Sequence, residues 1–571
     1  MARASEIYAH ILPKLEAWPI YKLSQNRKTF INEINEFTFN RLKQKYQGDL
    51  TDLLTRTIYL ERIRMREVPW RVDPPNEKNF WRKIKSQITN VAKEKNLTAV
   101  HETHDLVLRR IINRYSEEIV GSFVPKTYLF ARKFLTAFFK RLLSKRSKKT
   151  VAWGNKEQLF SRLKVYGPLD LIRSLAKRGT LILVPTHFSN LDSILIGYAI
   201  DAKVGLPSFS YGAGLNLYNF GPAAYFMNRL GAYRVDRRKK NPVYLETLKS
   251  MSNLSIQHGT HTLFFPGGTR SRSGRFETNL KLGLLGTVVE AQRSICEQGS
   301  SNKLFIVPLI LDYHFVLEAR YLIEQYLRDI GKEKYLAIRD QSKSKRKLLK
   351  FIWQFYNKGS EIVLSFGRPF DVMGNFVDEA GNSFDEKGRP VSIDDYFRLN
   401  DQIHTNLQRE SIYTRLLADR IVERFKKDNV VLTSHIVAFI AFQYLLKENS
   451  ELDLYGVLQL PPEDFEIPYH LFKKYFERIR DKLLSMEKEG EVRVSEPVMW
   501  NVHNAILDGI DNLGIYHAKK PLKITSSQHF VSENFVLLYY YHNRLANYHL
   551  ESMIQKRIPA SPVIIIPYQE D

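Results

Sequence analysis

Through roughly the first 150 residues, apolar side chains recur three and four positions apart among charged ones, the spacing of helices that bury one stripe. Prolines in VPWRVDPPNEKN, residues 68–79, predict a break in that run. The period then changes. Short apolar runs, LILVP (181–185), THTLFFP (260–266), LFIVPLIL (304–311) and EIVLSFG (361–367), alternate with the helical stretches DSILIGYAI (192–200) and NPVYLETLKSMSNLSIQ (241–257). Short, largely apolar runs alternating with helical stretches suit a sheet covered on both faces, so an α/β domain is expected here, with a mixed sheet flanked by helices. The polar stretch GNFVDEAGNSFDEKGRPVS (374–392), rich in Gly and Asp, predicts a hairpin or surface excursion. Beyond 400 helical spacing returns until PVIIIPY near the end, and no internal repeat is expected. The predicted organisation is a helical region over 1–150, an α/β domain over 151–400 and a mostly helical region over 401–571.

Within the first region, KTYLFARKFLTAFFKRLLSKRSKK (126–149) contains no acidic residue. A helical wheel places Tyr128, Phe134, Leu135, Phe138, Phe139 and Leu142 on one face, with Lys126, Lys133, Lys140 and Arg141 largely on the other. Such a helix suits either a core-facing surface position or the interface of an anionic membrane. The trailing SKRSKK reads as a linker. The longest apolar stretch, VVLTSHIVAFIAFQYLL (430–446), is broken by polar residues and falls short of the ~20 residues needed to cross a bilayer. The N-terminus lacks the pattern of a secretory signal. Any membrane contact is therefore expected to be peripheral.

Composition sharpens this only in part. The 571 residues suggest two to four domains, and 44% hydrophobic with 26% charged content is that of a folded chain. Lys and Arg exceed Asp and Glu by 86 − 61 = 25, which draws anionic partners: nucleic acid, lipid headgroups or phosphorylated substrates. A single cysteine, Cys296, excludes an intramolecular disulfide framework and reads as structural.

The candidate chemistry begins at HFSNLD, which comes after the strand candidate LILVP and precedes the helix candidate DSILIGYAI. Catalytic groups in α/β proteins gather at the carboxyl ends of strands. A turn entering a helix can fold Asp192 back toward His187, giving an imidazole base and a carboxylate that fixes its tautomer. With 15 histidines in the chain, a His and an Asp at this spacing arise by chance about once on ordinary composition. A second pair, His503 and Asp508 in HNAILD, does lie in a helical stretch with no strand before it. Two downstream segments give the first pair its weight. GAYRVDRR (231–238) and FFPGGTRSRSGR (264–275) bring glycines that admit a close anion and arginines that bind phosphate oxygens. FPGGTRSRSG lacks the lysine and spacing of a nucleotide-binding P-loop. No zinc-finger spacing or RNP-type aromatic motif points to nucleic acid.

The order His187 to Asp192, GAYRVDR, FPGGTRS and IVPLIL resembles the four blocks of the glycerolipid acyltransferase superfamily. Within it, AGLNL (213–217), RSRSGR (270–275), KLGLL (281–285) and YHFVLE (313–318) are similar to elements of the glycerol-3-phosphate and dihydroxyacetone-phosphate acyltransferases. YYHNRLANYHL (540–550) resembles a C-terminal segment of the bacterial glycerol-3-phosphate enzymes. The resemblance implies that the central region is an acyltransferase domain in which His187 is the general base and Asp192 its partner. Arg237, Arg270 and Arg272, with Gly268 and Ser271, would hold the acceptor phosphate, and Pro308, read as a strand-terminal proline, would shape the pocket. Two departures stand out: Gly267 occupies the place where many members carry Glu, and Arg234 stands where an aromatic is common.

The implied enzyme is a glycerol-3-phosphate 1-O-acyltransferase that uses acyl-CoA or acyl-ACP as co-substrate and no cofactor or metal. It would work in phospholipid synthesis as a peripheral protein on an anionic membrane surface, the cytoplasmic face of the cell membrane. Lysophosphatidic acid or dihydroxyacetone phosphate is the alternative acceptor. The reading from another class is a non-catalytic basic protein that binds membranes or nucleic acid.

Overall fold

The structure, a computed structural model, describes residues 7–70, 72–74, 76–143, 156–215, 218, 221–330 and 361–554. The SKRSKK linker and PVIIIPY lie outside the described residues. The chain divides into two compact units. The first comprises Met1–Thr269, Glu277–Leu311 and Ile362–Asp428, and the second Arg270–Phe276, Asp312–Glu361 and Asn429–Asp571.

In the first unit the helical spacing produces α1 (Pro19–Gln25), α2 (Arg27–Lys45), α3 (Thr51–Glu67), α4 (Glu77–Val91), α5 (Leu97–Ile119) and α6 (Pro125–Leu143). Helix α3 ends and α4 begins on either side of the proline-rich stretch, because a proline interrupts the hydrogen-bond ladder. The rest of the unit's α/β portion contains α7 (Lys156–Arg162), α8 (Leu169–Leu175), α9 (Asp192–Ala199), α10 (Gly221–Met227), α11 (Pro242–Gln257) and α12 (Leu282–Glu297). Phe30, Ile34, Leu53, Trp81, Leu108 and Ile111 pack into one cluster with Tyr244, Leu248 and Met251 of α11. Burying each such side chain is worth about 1.5–3 kcal/mol, so the helical region is fastened to the α/β layer by ordinary core packing.

A buried polar network sits where that packing meets α11. Arg64 binds Glu61 at 2.8 Å and Glu77 at 2.7 Å, and Glu61 accepts from the Asn241 amide at 2.7 Å and the Tyr115 hydroxyl at 3.0 Å. The Asn241 oxygen meanwhile caps α11 by accepting the Tyr244 N–H. Losing one member would strand buried charge, at a cost of about 3–5 kcal/mol.

Seven strands, β1 (Leu163–Tyr166), β2 (Thr180–Pro185), β3 (Ser210–Gly214), β4 (Ala232–Val235), β5 (Thr262–Leu263), β6 (Leu304–Tyr313) and β7 (Ile362–Phe366), form the central sheet in the order β1-β7-β6-β2-β5-β3-β4. Strand β2 runs parallel to β5 and β6, β3 parallel to β4 and β5, and β1 parallel to β7. Antiparallel bridges Ile306–Phe370 and Phe370–Phe376 carry pairing into an excursion, which makes the architecture mixed α/β. Pro308 is not strand-terminal but lies in the middle of β6, opposite Val184. Its carbonyl accepts the Gly367 N–H at 2.8 Å, one residue past the end of β7.

The excursion corrects the expectation of no internal repeat. DVMGNFV, DEAGNSF and DEKGRPV, starting at Asp371, Asp378 and Asp385, are three copies of a seven-residue unit. Each Asp Oδ1 accepts backbone N–H groups of its own turn, from Asn375, Asn382 and Arg389 at 2.8–3.0 Å. Gly374, Gly381 and Gly388 take φ of +86°, +82° and +76°, which a side chain would strain. The last two residues of each copy form β8 (Phe376–Val377), β9 (Ser383–Phe384) and β10 (Pro390–Val391) of an antiparallel meander. Only Asp and Gly recur strictly, so apolar periodicity gives no sign of the repeat.

In the second unit the apolar run 430–446 becomes strand Val430–Val431 and helix Thr433–Glu448, whose residues 433–445 are all buried. It is a core helix. No helix among the described residues is long and apolar enough to cross a membrane.

His261 couples the sheet to pH. Its Nδ1 accepts the Leu181 N–H at 3.1 Å, and burial pulls the imidazole down to about 4 from an unfolded value of 6.5. The unfolded chain therefore binds the proton first as pH falls, and stability is full above about 6.5 and declines toward pH 4. At pH 5 this one group costs roughly 2 kcal/mol. Thermal melting should show a lower midpoint at pH 5 than at pH 7.5, and His261→Gln, which keeps an acceptor for Leu181, should reduce that dependence without removing it, since burial also lowers His314, His435, His517 and His542.

Candidate active site

Strand β2 ends at Pro185, and Thr186 extends the register by donating its N–H to the Leu309 carbonyl at 2.9 Å. The chain then turns so that Asp192, fully buried at the first position of α9, folds back over it. One oxygen, Asp192 Oδ2, receives the Phe188 N–H at 2.7 Å and the Ser189 N–H at 2.9 Å, and lies 2.8 Å from His187 Nδ1. The same carboxylate thus builds the turn and orients the imidazole. With Nδ1–H directed at Asp192, the lone pair is left on Nε2, the atom that could accept a proton. The imidazole is 17% exposed and lies against the Phe265 ring, centroids 4.0 Å apart.

The second His–Asp pair does not close. His503 and Asp508 lie on the helix Val502–Asn512, where five residues turn about 140° away from one another. His503 Nδ1 pairs with the Tyr469 hydroxyl at 2.6 Å, and Asp508 accepts from Thr433 at 2.6 Å.

Phe265 opens the turn of the glycine block. Gly268 donates its N–H to Phe265 O at 3.0 Å, and Lys281 donates its own to Pro266 O at 2.7 Å. Gly268, with φ of +77°, leaves only 3.0 Å between a would-be Cβ and the Lys281 chain. At Gly267 a Cβ would meet the Glu277 carboxyl carbon at 2.5 Å. The space that a side chain at 267 would enter is thus filled by a carboxylate from ten residues further on. No sequence signal marks Glu277 for this place, and Phe265 is marked only as an aromatic before the glycines.

Arg237 is exposed just after β4, beside Arg238, which binds Asp236 at 2.7 Å. Pro308 is buried in β6.

Arg270, Ser271 and Arg272 belong to the second unit, each with its own partner there. Arg270 approaches Glu318 at 3.3 Å, Arg272 pairs with Asp329, and the Ser271 hydroxyl donates to Arg275 O at 2.7 Å. This loop is held by the segment YYHNRLANYHL: Asn543 donates its amide to Ser273 O at 2.8 Å, and Gly274, with φ of +85°, has no room for a side chain against the Tyr540 backbone. Arg544 of the same segment pairs with buried Asp312, whose carboxyl is pushed up to about 6 by burial against the opposing pull of that guanidinium. Cys296 is buried and its thiol is pushed up to about 12, chiefly by desolvation, so it is no nucleophile. No group of metal-ligating side chains occurs among the described residues.

Residues 162–311 match the family model for acyltransferases, a span that holds β1 to β5, most of β6 and the His187–Asp192 turn. The central region of the chain therefore matches an acyltransferase domain, in line with the resemblance to the glycerolipid acyltransferase superfamily. A glycerol-3-phosphate acyltransferase of Aeromonas hydrophila is 30% identical to it over 231 residues. That match takes in 40% of this chain and 26% of the relative, so the chain spans about a quarter of the relative's length.

The Gly267–Glu277 arrangement yields a test. Gly267→Glu forces a second carboxylate into the space Glu277 occupies, and thermal melting should show a loss of roughly 1–3 kcal/mol or more. Adding Glu277→Ala should recover most of it. An unshifted single variant would mean the two positions do not compete.

Proposed function

We propose that the protein transfers an acyl group from a thioester to the sn-1 hydroxyl of glycerol 3-phosphate. The observation carrying this reading is the Asp192 carboxylate that builds the turn at the end of β2 and fixes His187 by a 2.8 Å contact. His187 Nε2 removes the hydroxyl proton, the alkoxide attacks the thioester carbonyl, and the tetrahedral intermediate expels the thiol, which takes up the proton. Asp192 stabilises the imidazolium formed on the way. Arg237, with the backbone at Gly268, receives the acceptor phosphate, and Pro308 shapes the pocket. The name of the Aeromonas relative supports glycerol 3-phosphate over lysophosphatidic acid or dihydroxyacetone phosphate as acceptor.

The enzyme works at an anionic membrane surface, the cytoplasmic face of the cell membrane, and α6 supplies the contact. The wheel's single apolar face is divided in the fold: Phe139 is buried, while Phe134 is 57% exposed, and Phe130, outside that face, is 60% exposed. Exposed Lys126 and Lys133 flank these rings, and Phe130 stacks on Phe226 of α10, next to half-exposed Tyr225. Aromatic side chains set among cations suit insertion between anionic headgroups. On its inner side α6 meets the catalytic helix, with Phe139 against the Tyr198 ring of α9 and the Tyr198 hydroxyl donating to Thr136.

His187→Ala should lower transfer from a radiolabelled acyl thioester to glycerol 3-phosphate by ~10²–10⁴-fold with the fold intact by circular dichroism. An unchanged rate would refute the base assignment. Phe130→Ser with Phe134→Ser should release the protein from vesicles containing phosphatidylglycerol in a sedimentation assay without altering its melting temperature. Equal retention of variant and wild type would remove α6 from the membrane contact.

A further inference from the structure

A cleft of about 510 Å³ opens beside the edge strand β4, lined by Phe80 of α4, Arg110, Arg114, Glu117 and Glu118 of α5, and Arg234 of β4. Its two carboxylates are already neutralised, since Glu117 binds Arg27 at 2.7 Å and Glu118 binds Lys239 at 2.6 Å. Its three guanidinium groups are not. Arg110 reaches only the Gln87 oxygen at 3.3 Å, and Arg234 the Asn228 oxygen at 2.6 Å. Arg114 lies over the Phe80 ring at 4.4 Å, with Nε and Nη2 screened from water and bonded to no protein acceptor. Among the described residues none of the three pairs with a carboxylate. Cations in a concave, partly desolvated setting without counter-charge favour a bound anion, and arginine forks suit phosphate.

The register of the sheet locates this cleft relative to the base. Leu183 pairs with Leu263, Leu263 with Tyr211, and Tyr211 with Ala232. Arg234, two residues further on, is therefore level with Pro185, two residues before His187. Strands β5, β3 and β4 carry it three strand spacings sideways, roughly 14 Å. The acceptor hydroxyl must lie within about 3 Å of the base, so glycerol 3-phosphate meets a guanidinium on this strand only through the reach of a long side chain such as Arg237, whereas Arg110 and Arg114 stand off the sheet, on α5. A thioester on a pantetheine arm reaches them, because that arm is an extended chain with phosphates at its far end. The cleft's volume is also that of a small-molecule site rather than of a single phosphate ion.

We propose that this cleft binds the phosphorylated nucleotide end of a coenzyme A thioester, with Arg110, Arg114 and Arg234 on its phosphates and Phe80 offering an apolar wall. The proposal rests on the acyl-transfer reading and adds to it a donor class: a nucleotide thioester rather than an acyl carrier protein.

The test combines kinetics with a binding measurement that needs no turnover. In the double variant Arg110→Gln, Arg114→Met, the KM for acyl-CoA should rise about tenfold or more, the scale of one to two lost charge-assisted bonds, while the KM for glycerol 3-phosphate stays in place. With acyl-pantetheine, which lacks the nucleotide, wild type and variant should converge. Calorimetry should show adenosine 3′,5′-bisphosphate binding to the wild type and tenfold weaker or absent binding to the variant. An unmoved acyl-CoA KM, an equal penalty on acyl-pantetheine, or a penalty confined to acyl carrier protein donors would overturn the proposal. Bisphosphate binding lost in the variant, in a protein that transfers no acyl group, would uphold the cleft and overturn the acyl-transfer reading instead.

Discussion

A single carboxylate oxygen governs the centre of this molecule. Asp192 Oδ2 accepts two backbone N–H groups and faces the His187 ring, so the turn cannot close without creating the His–Asp pair, nor the pair persist if the turn opens. Its position at the start of α9 places the negative charge where the helix's own N–H groups favour it. The turn and the orientation of the imidazole depend on the same charge. The buried strand behind it and the aromatic ring of Phe265 beside it leave the imidazole little freedom except at its partly exposed edge.

The surrounding fold supplies rigidity to that arrangement from several directions. Strand β2 is paired on both sides, by β6 and β5, and the helical N-terminal region packs on α11 through apolar side chains and the Arg64–Glu61–Asn241 network. That region is thus part of the scaffold of the α/β layer. The arginine loop of the second unit is treated likewise, with Asn543 and the Tyr540 backbone bracing it from a segment far along the chain.

Much of this was legible in the sequence, for identifiable reasons. LILVP, LFIVPLIL and EIVLSFG read as strands because they are apolar at nearly every position, and the stretch NPVYLETLKSMSNLSIQ marked α11, which the structure caps with Asn241. Strand β3, SYGAG, carried no such signal, since small and polar residues make it up, and β1 and β4 are too short to establish a period. The His187–Asp192 pair was recognisable only with the strand before it, as His503 and Asp508 demonstrate by pointing to separate partners. Glu277, Arg110 and Arg114 were not legible, because their meaning comes from proximity to Gly267 or to one another across long stretches of chain, and Arg234 stood out only as a departure from the family pattern.

The meander after β7 has a property of a different kind. In each seven-residue copy the aspartate satisfies amides of its own turn, and the two-residue strand it contributes meets the next in the same two-residue register. Every copy is self-sufficient at its turn and interchangeable at its seam. The excursion is therefore a ruler graduated in sevens: a copy could be gained or dropped and the remaining turns would still close, with the length of this surface arm changing in fixed steps while the sheet that anchors it stays as it is.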